Sequence, residues 1–104
     1  MHVTIVNFRL NGIDEQQYAS LCDQIAPAFA AVPGLISKVW IKNETGTYGG
    51  VYVWESRAAY QRYMESDLFK TVLSHPNLAD ISAKDFEILE GPTRVTHGLL
   101  TAVA

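Results

Sequence analysis

The stretch from Val32-Pro33-Gly34 to Trp54-Glu55-Ser56 constrains this chain more than any other. A turn at Pro33-Gly34 precedes two runs, Leu35–Asn43 and Tyr48–Glu55, joined by Glu44-Thr45-Gly46. Val39, Trp40, Ile41, Val51, Tyr52, Val53 and Trp54 are the β-branched and aromatic types that suit a pleated, half-buried surface. Gly46 can take the left-handed conformation that a tight connection needs. The reading is a β-hairpin. Gly49-Gly50 weakens its second strand, which points to a bulge or to a close approach by a ligand or another backbone.

The remaining elements follow from periodicity. Met1–Leu10 alternates, with Val3, Ile5, Asn7 and Arg9 on one face and His2, Thr4, Val6 and Phe8 on the other. Both faces are partly apolar, so both need cover. Asp14, with Gln17 three residues on, is a capping pair for a helix whose inner stripe is Tyr18, Leu21, Cys22, Ile25 and Phe29. Pro27 should kink its last turn. Ser56 caps a short helix, Arg57–Glu65, that turns Tyr60, Tyr63 and Met64 inward. Ser66-Asp67 caps another, Leu68–Leu73, that buries Phe69, Val72 and Leu73 and closes at His75-Pro76-Asn77. Phe86 and Ile88, alternating with Asp85 and Glu87, form a fourth strand, and Thr93–Thr96 is a candidate fifth. Leu99–Ala104 is small and apolar, frayed or docked on a partner.

The resulting order is β-α-β-β-α-β, the ferredoxin-like α+β arrangement of two helices on one face of an antiparallel sheet. Its second face would remain apolar and uncovered, and a second sheet from a twofold partner is the simplest cover. A chain of 104 residues makes one domain, 1–104. A net charge of −3 with no basic run argues against nucleic acid and against an acidic membrane surface as partners. No apolar stretch is long enough to span a membrane, and the start alternates rather than forming a signal peptide, so a cytoplasmic location is expected. Cys22 stands alone and the three histidines lie far apart, so no metal site is expected. Nor is there a triad or a nucleotide-binding glycine loop.

Three segments together resemble the YdhR-like mono-oxygenases: Val32 to Trp40, Tyr48 to Ser56, and Ser66-Asp67-Leu68-Phe69. Asp85 to Glu90 before Pro92-Thr93 fits as well. The resemblance spans nearly the whole chain and rests on order, aromatics and glycines rather than on a short chemical signature. It implies membership of the dimeric α/β-barrel group, which includes the antibiotic-biosynthesis monooxygenases. It therefore implies a homodimer with facing sheets and a pocket between sheet and helices in each subunit. It also implies oxidation of a flat phenol or hydroquinone by O2 without bound cofactor.

Under that resemblance, His75 and Asn7 are the candidate catalytic residues. They match two of the three residues used by heme-degrading relatives on the same superfold. The third, a helical tryptophan, is absent here, where the helix offers Tyr60 and Tyr63. His75 or a tyrosine would act as base or hydrogen-bond donor, and Asn7 or tryptophan N–H groups would stabilise an oxyanion. Read from the residues alone, His75 is a helix cap before it is anything else, and Asn7 is as readily a partner for a neighbouring loop as a ligand contact. Trp40, Tyr52, Trp54, Tyr60, Tyr63 and Phe69 are core residues or the walls of a flat hydrophobic pocket. The alternative to an enzyme is a module that binds a small hydrophobic ligand, a quinone or a heme, without turning it over.

Overall fold

The computed structural model describes residues 1–99. Residues 100–104, most of the apolar tail expected to fray or dock, lie outside that description. Among the described residues there are four strands: β1 (His2–Leu10), β2 (Leu35–Lys42), β3 (Thr47–Trp54) and β4 (Leu78–Glu87). Four helices accompany them: α1 (Glu15–Ala30), α2 (Arg57–Met64), α3 (Asp67–Ser74) and α4 (Glu90–Val95). The sheet order is β2-β3-β1-β4, and every paired neighbour runs antiparallel. This is the ferredoxin-like α+β fold anticipated from the element order.

The helix starts obey their caps. Asp14 and Gln17 form a reciprocal capping box at α1, with Gln17 N–H donating to Asp14 Oδ1 at 2.8 Å. The Ser56 and Ser66 hydroxyls accept from Ala59 N–H and Phe69 N–H. The hairpin turn is organised by Asn43, whose side-chain oxygen accepts from the backbone of Thr45 and Thr47, with Gly46 at φ 87°. Pro27 lies inside α1, which continues to Ala30.

Three expectations need correction. The fourth strand is much longer than the Phe86–Ile88 alternation suggested, because it starts at Leu78 and pairs with β1 along most of its length. A register irregularity between Asn7 and Arg9 and polar residues such as Asp80, Ser82 and Lys84 hide that pairing from a hydrophobic count. Thr93–Thr96 is not a fifth strand. Residues 90–95 form α4, where Pro92 sits in the first turn and needs no N–H partner. Glu90 steadies this helix, accepting from Arg94 at 2.9 Å and from the chain amino terminus at 3.1 Å. Leu73 is not buried but 51% exposed.

The alternation of β1 divides the sheet as expected. His2, Thr4, Val6 and Phe8 are buried under the helices. Val3, Ile5 and Asn7 lie on the opposite, open face with Val51 and Val53 of β3 and Val39 of β2. The two strand glycines serve different approaches. A Cβ on Gly49 would stand 1.8 Å from the Val6 carbonyl oxygen, so this glycine admits a neighbouring backbone. A Cβ on Gly50 would stand 2.9 Å from Lys38 Cε and 3.2 Å from the Tyr52 ring, so this one admits side chains on the helical face.

Candidate active site

The helical face carries one connected aromatic cluster. Phe29 meets Trp40 at a ring-centroid distance of 5.5 Å, edge to face, and Tyr52 at 6.1 Å. Tyr52 stacks on Trp54 at 5.9 Å and tilts against Tyr63 at 5.5 Å. Tyr63 contacts Trp54 at 5.1 Å and Phe69 at 5.2 Å. Five of the six expected wall residues, Trp40, Tyr52, Trp54, Tyr63 and Phe69, are thus brought together. Four of them are buried and fill the space between themselves. The Trp54 indole N–H is committed to Thr4 Oγ1 at 3.1 Å. The Tyr63 hydroxyl is buried with no hydrogen-bond partner among the described residues. Burial pushes the Tyr52 phenol up to about 12 and raises Tyr63 further.

Empty space opens on the other side of Trp40, under α1. Only Phe29 of this helix is fully buried, while Tyr18, Leu21, Cys22 and Ile25 of the stripe are half-buried. Where the helix stands off the sheet, a groove of about 460 Å³ is walled by Tyr18, Cys22, Ala26, Trp40, Ile41 and Tyr48. That volume suits a small ring system. Its mouth is polar. Glu15 pairs with Lys42 Nζ at 2.7 Å and accepts from the Tyr48 hydroxyl at 3.0 Å, and these two hydrogen bonds hold its carboxyl below the usual range. Deeper in, burial raises the Tyr18 phenol and the Cys22 thiol, so both stay protonated at neutral pH.

A second hollow of about 280 Å³ adjoins the groove and shares Ala26 and Trp40 with it. Lys38 reaches into this region from β2. Its Nζ lies 3.3 Å from the centre of the Phe29 ring, 3.4 Å from Trp40 and 4.7 Å from Tyr52. No carboxylate pairs with it among the described residues. Desolvation pulls its amine down to about 7. The sequence reading missed this residue. The available signal was register: Lys38 lies two residues before Trp40 in an alternating strand, so both point to the helical face.

The other candidates are dispersed. Asn7 is half-buried on the open face, paired across β1–β3 with Gly49. His75 caps α3, and its Nδ1 accepts from Asn77 N–H at 3.1 Å. Neither lines the groove. Tyr60 packs at the edge of the core, outside the ring contacts of the aromatic cluster. Its ring lies 5.1 Å from that of His2, and its hydroxyl donates to Asp85 Oδ1 at 3.2 Å, while His2 Nε2 bonds Asp85 Oδ2 at 2.6 Å. Among the described residues, no group of three or more His, Cys, Asp or Glu side chains is placed to hold a metal ion. No helix among them is long and apolar enough to cross a membrane.

Fold and groove define a small α+β protein of the ferredoxin-like class with room for a ligand between its first helix and its sheet. Residues 3–99 match the family described as putative mono-oxygenase ydhR, and the chain belongs to that family. Among solved structures it is similar to the heme-degrader MhuD from Mycobacterium tuberculosis, described with two hemes bound in its active site. The identity is 20%, over 86% of this chain and 96% of that one, with a TM-score of 0.69. It is also similar to SnoaB, a cofactor-independent oxygenase from Streptomyces nogalater. There the identity is 20%, over 84% of this chain and 92% of that one, with a TM-score of 0.65. At these identities the likeness is one of fold. No curated protein sequence matches the chain.

Proposed function

We propose that the protein is a cofactor-independent monooxygenase for a small, flat, electron-rich aromatic such as a phenol or hydroquinone. The observation that carries the reading is the groove under α1, with Tyr18, Trp40 and Tyr48 presenting aromatic surface to a space of ring size. Family membership supplies the reaction class. In such chemistry the ionised substrate gives electrons to O2. A ring C–H becomes a carbonyl, and the second oxygen atom leaves as water. The protein contributes an apolar, largely dehydrated wall and control of the substrate's ionisation.

The reading includes a homodimer. Val39 and Phe86 on the open face are each 51% exposed, beside Val3, Ile5, Val51 and Val53. A second copy placed sheet to sheet would bury this surface. Sedimentation at micromolar concentration should give a species of twice the chain mass, and a stable monomer removes this part of the reading.

The enzymatic test is oxygen uptake with a panel of hydroquinones, anthrols and naphthols, without NADH, flavin or metal. Uptake above the buffer rate that saturates with substrate supports the reading. Saturable quenching of tryptophan fluorescence with no uptake supports a ligand-binding module instead. One observation favours that alternative: Tyr52, Trp54, Tyr63 and Phe69 fill their own cavity, which leaves few polar groups for catalysis. His75 and Asn7 owe their catalytic assignment to the resemblance. His75→Ala and Asn7→Ala enzymes with intact turnover would move the chemistry into the groove.

A further inference from the structure

We propose that Lys38 is the group that receives the acidic proton of the substrate and then holds the resulting oxyanion, which makes the ligand an ionisable hydroxyaromatic rather than any flat ring. The inference rests on the groove being the substrate site: Lys38 lines the adjoining hollow rather than the groove itself, and a ligand seated in the groove would extend its hydroxyl past Trp40 to reach it. Its basis is geometric. A lysine amine on an inward register of β2 is enclosed by the rings of Phe29, Trp40 and Tyr52, within 3.3 to 4.7 Å of their centres. Gly50, opposite Trp40 on β3, leaves space for its stem, since a Cβ there would stand 2.9 Å from Lys38 Cε.

Ring faces attract an ammonium but accept hydrogen bonds weakly. An ammonium carries three N–H donors. Among the described residues none of these is taken by a carboxylate, and none makes a side-chain hydrogen bond. Lys42, four residues on, shows the contrast: it stands in solvent and pairs with Glu15 at 2.7 Å. Lys38 is therefore a desolvated cation site that lacks an anion, and it borders the groove through Trp40. A phenolate lying against Trp40 would supply the missing oxygen.

The proton balance is simple. The substrate O–H proton passes to the neutral amine, leaving an ammonium and a phenolate paired in a low-dielectric pocket, and no electrons move in that step. The surroundings let this happen at neutral pH. Desolvation brings Lys38 down to about 7. On α1, Cys22 interacts with it and Tyr18 interacts with Cys22, both held protonated by burial, and Asp23 lies at the groove wall beyond Cys22. Tyr52 on β3, and Tyr63 of α2 packed against it, are likewise neutral. Among the described residues no carboxylate forms an ion pair with Lys38.

The probe is 4-nitrophenol, whose anion absorbs in the visible while its neutral form does not, with 4-nitroanisole as the isosteric ether that cannot ionise. Spectra of the bound probe across pH should show the ionisation midpoint of 4-nitrophenol lowered by about one unit or more, which corresponds to roughly tenfold tighter binding of the anion. Lys38→Met should abolish that shift while binding 4-nitroanisole as the wild type does. Lys38→Arg should keep anion binding but lose the titration near 7, because a guanidinium stays charged. An unchanged midpoint in Lys38→Met, or wild-type preference for the ether, overturns the proposal. Phenolate capture without oxygen uptake sustains the role of Lys38 and sinks the monooxygenase reading. Oxygen uptake with an unaltered pH profile in Lys38→Met does the reverse.

Discussion

Aromatic side chains cover both halves of the helical face, yet the halves behave differently. Under α2 and α3, Tyr52, Trp54 and Phe69 lock against Tyr63, and all four are at most 3% exposed. Under α1, Tyr18, Trp40 and Tyr48 remain half-buried and line open space. The difference lies in what faces them. The second and third helices offer large side chains that reach the sheet. The first helix offers Ala19, Cys22 and Ala26 where the groove opens. Small residues on a helix that meets the sheet mainly through Phe29 leave a hollow, whereas bulky ones on two short helices fill it. One half is filled and the other is left open.

The comparison breaks most readily at Trp54. It is fully buried, and its N–H is hydrogen-bonded to Thr4. Trp54→Ala should cost about 3–5 kcal/mol, since a large side chain is lost from a site that cannot collapse and a buried hydroxyl is left without its donor. Chemical denaturation measures this. A loss below roughly 1 kcal/mol would mean that the tight half of the core is not tight.

Much of that tight half was legible in the sequence. The caps at Asp14, Ser56 and Ser66 announce the helices, and the alternation of β1 sorts its residues onto the correct faces. Burial of Trp54, Tyr63 and Phe69 follows from their types and periods. The groove was not legible in this way. A half-buried Trp40 and a fully buried Trp54 look alike in a hydrophobic pattern, because the difference depends on how far a helix stands off the sheet. Lys38 was missed for a related reason. A lysine in a strand reads as solvent-facing, and only its register with Tyr52 reveals that it points inward. Asn7 drew attention as a polar residue in an apolar strand, but alternation puts it on the face away from the groove. The β4 boundary failed because pairing with β1, and not apolar content, holds that strand.

The open half should also respond to pH in a way the tight half does not. The unfolded Lys38 amine keeps its proton up to about 10.5, while the folded one releases it near 7. Between those values the unfolded chain binds more protons, so this residue makes stability rise with pH. The useful window is about pH 7 to 9, because the raised Cys22 thiol and the tyrosines oppose the trend at higher pH. In thermal melts the wild type should therefore gain stability relative to Lys38→Met as pH rises through this window. Parallel curves would show that Lys38 is solvated in the folded protein.

Trp40 tests whether the groove is a binding surface. It is half-buried and touches Phe29, Lys38 and both hollows. Trp40→Ala should cost only about 1–2 kcal/mol of stability, less than Trp54→Ala, because part of its area is exposed already. Affinity for a phenolic ligand should fall by roughly tenfold or more, through lost stacking area. If both tryptophan variants lose stability equally and affinity equally, the distinction between core and groove disappears.

The smallest expected effect is the most specific. Tyr63 is 2% exposed, and its hydroxyl has no hydrogen-bond partner among the described residues. Burying a hydroxyl without a partner is unfavourable, and burial is the main cause of its raised ionisation. Tyr63→Phe removes the unpartnered oxygen and leaves the ring contacts with Tyr52, Trp54 and Phe69 in place. Stability should therefore stay unchanged or rise by up to about 1 kcal/mol, in contrast to the usual loss when a buried polar group is deleted. Affinity for 4-nitrophenol should not move, because the hydroxyl belongs to the filled half. A loss of stability above about 1 kcal/mol would mean that Tyr63 has a hydrogen-bond partner in solution, with Tyr52 the nearest candidate. A loss of phenol binding at unchanged stability would carry the ligand site past Trp40 into the packed cluster and erase the boundary between the two halves.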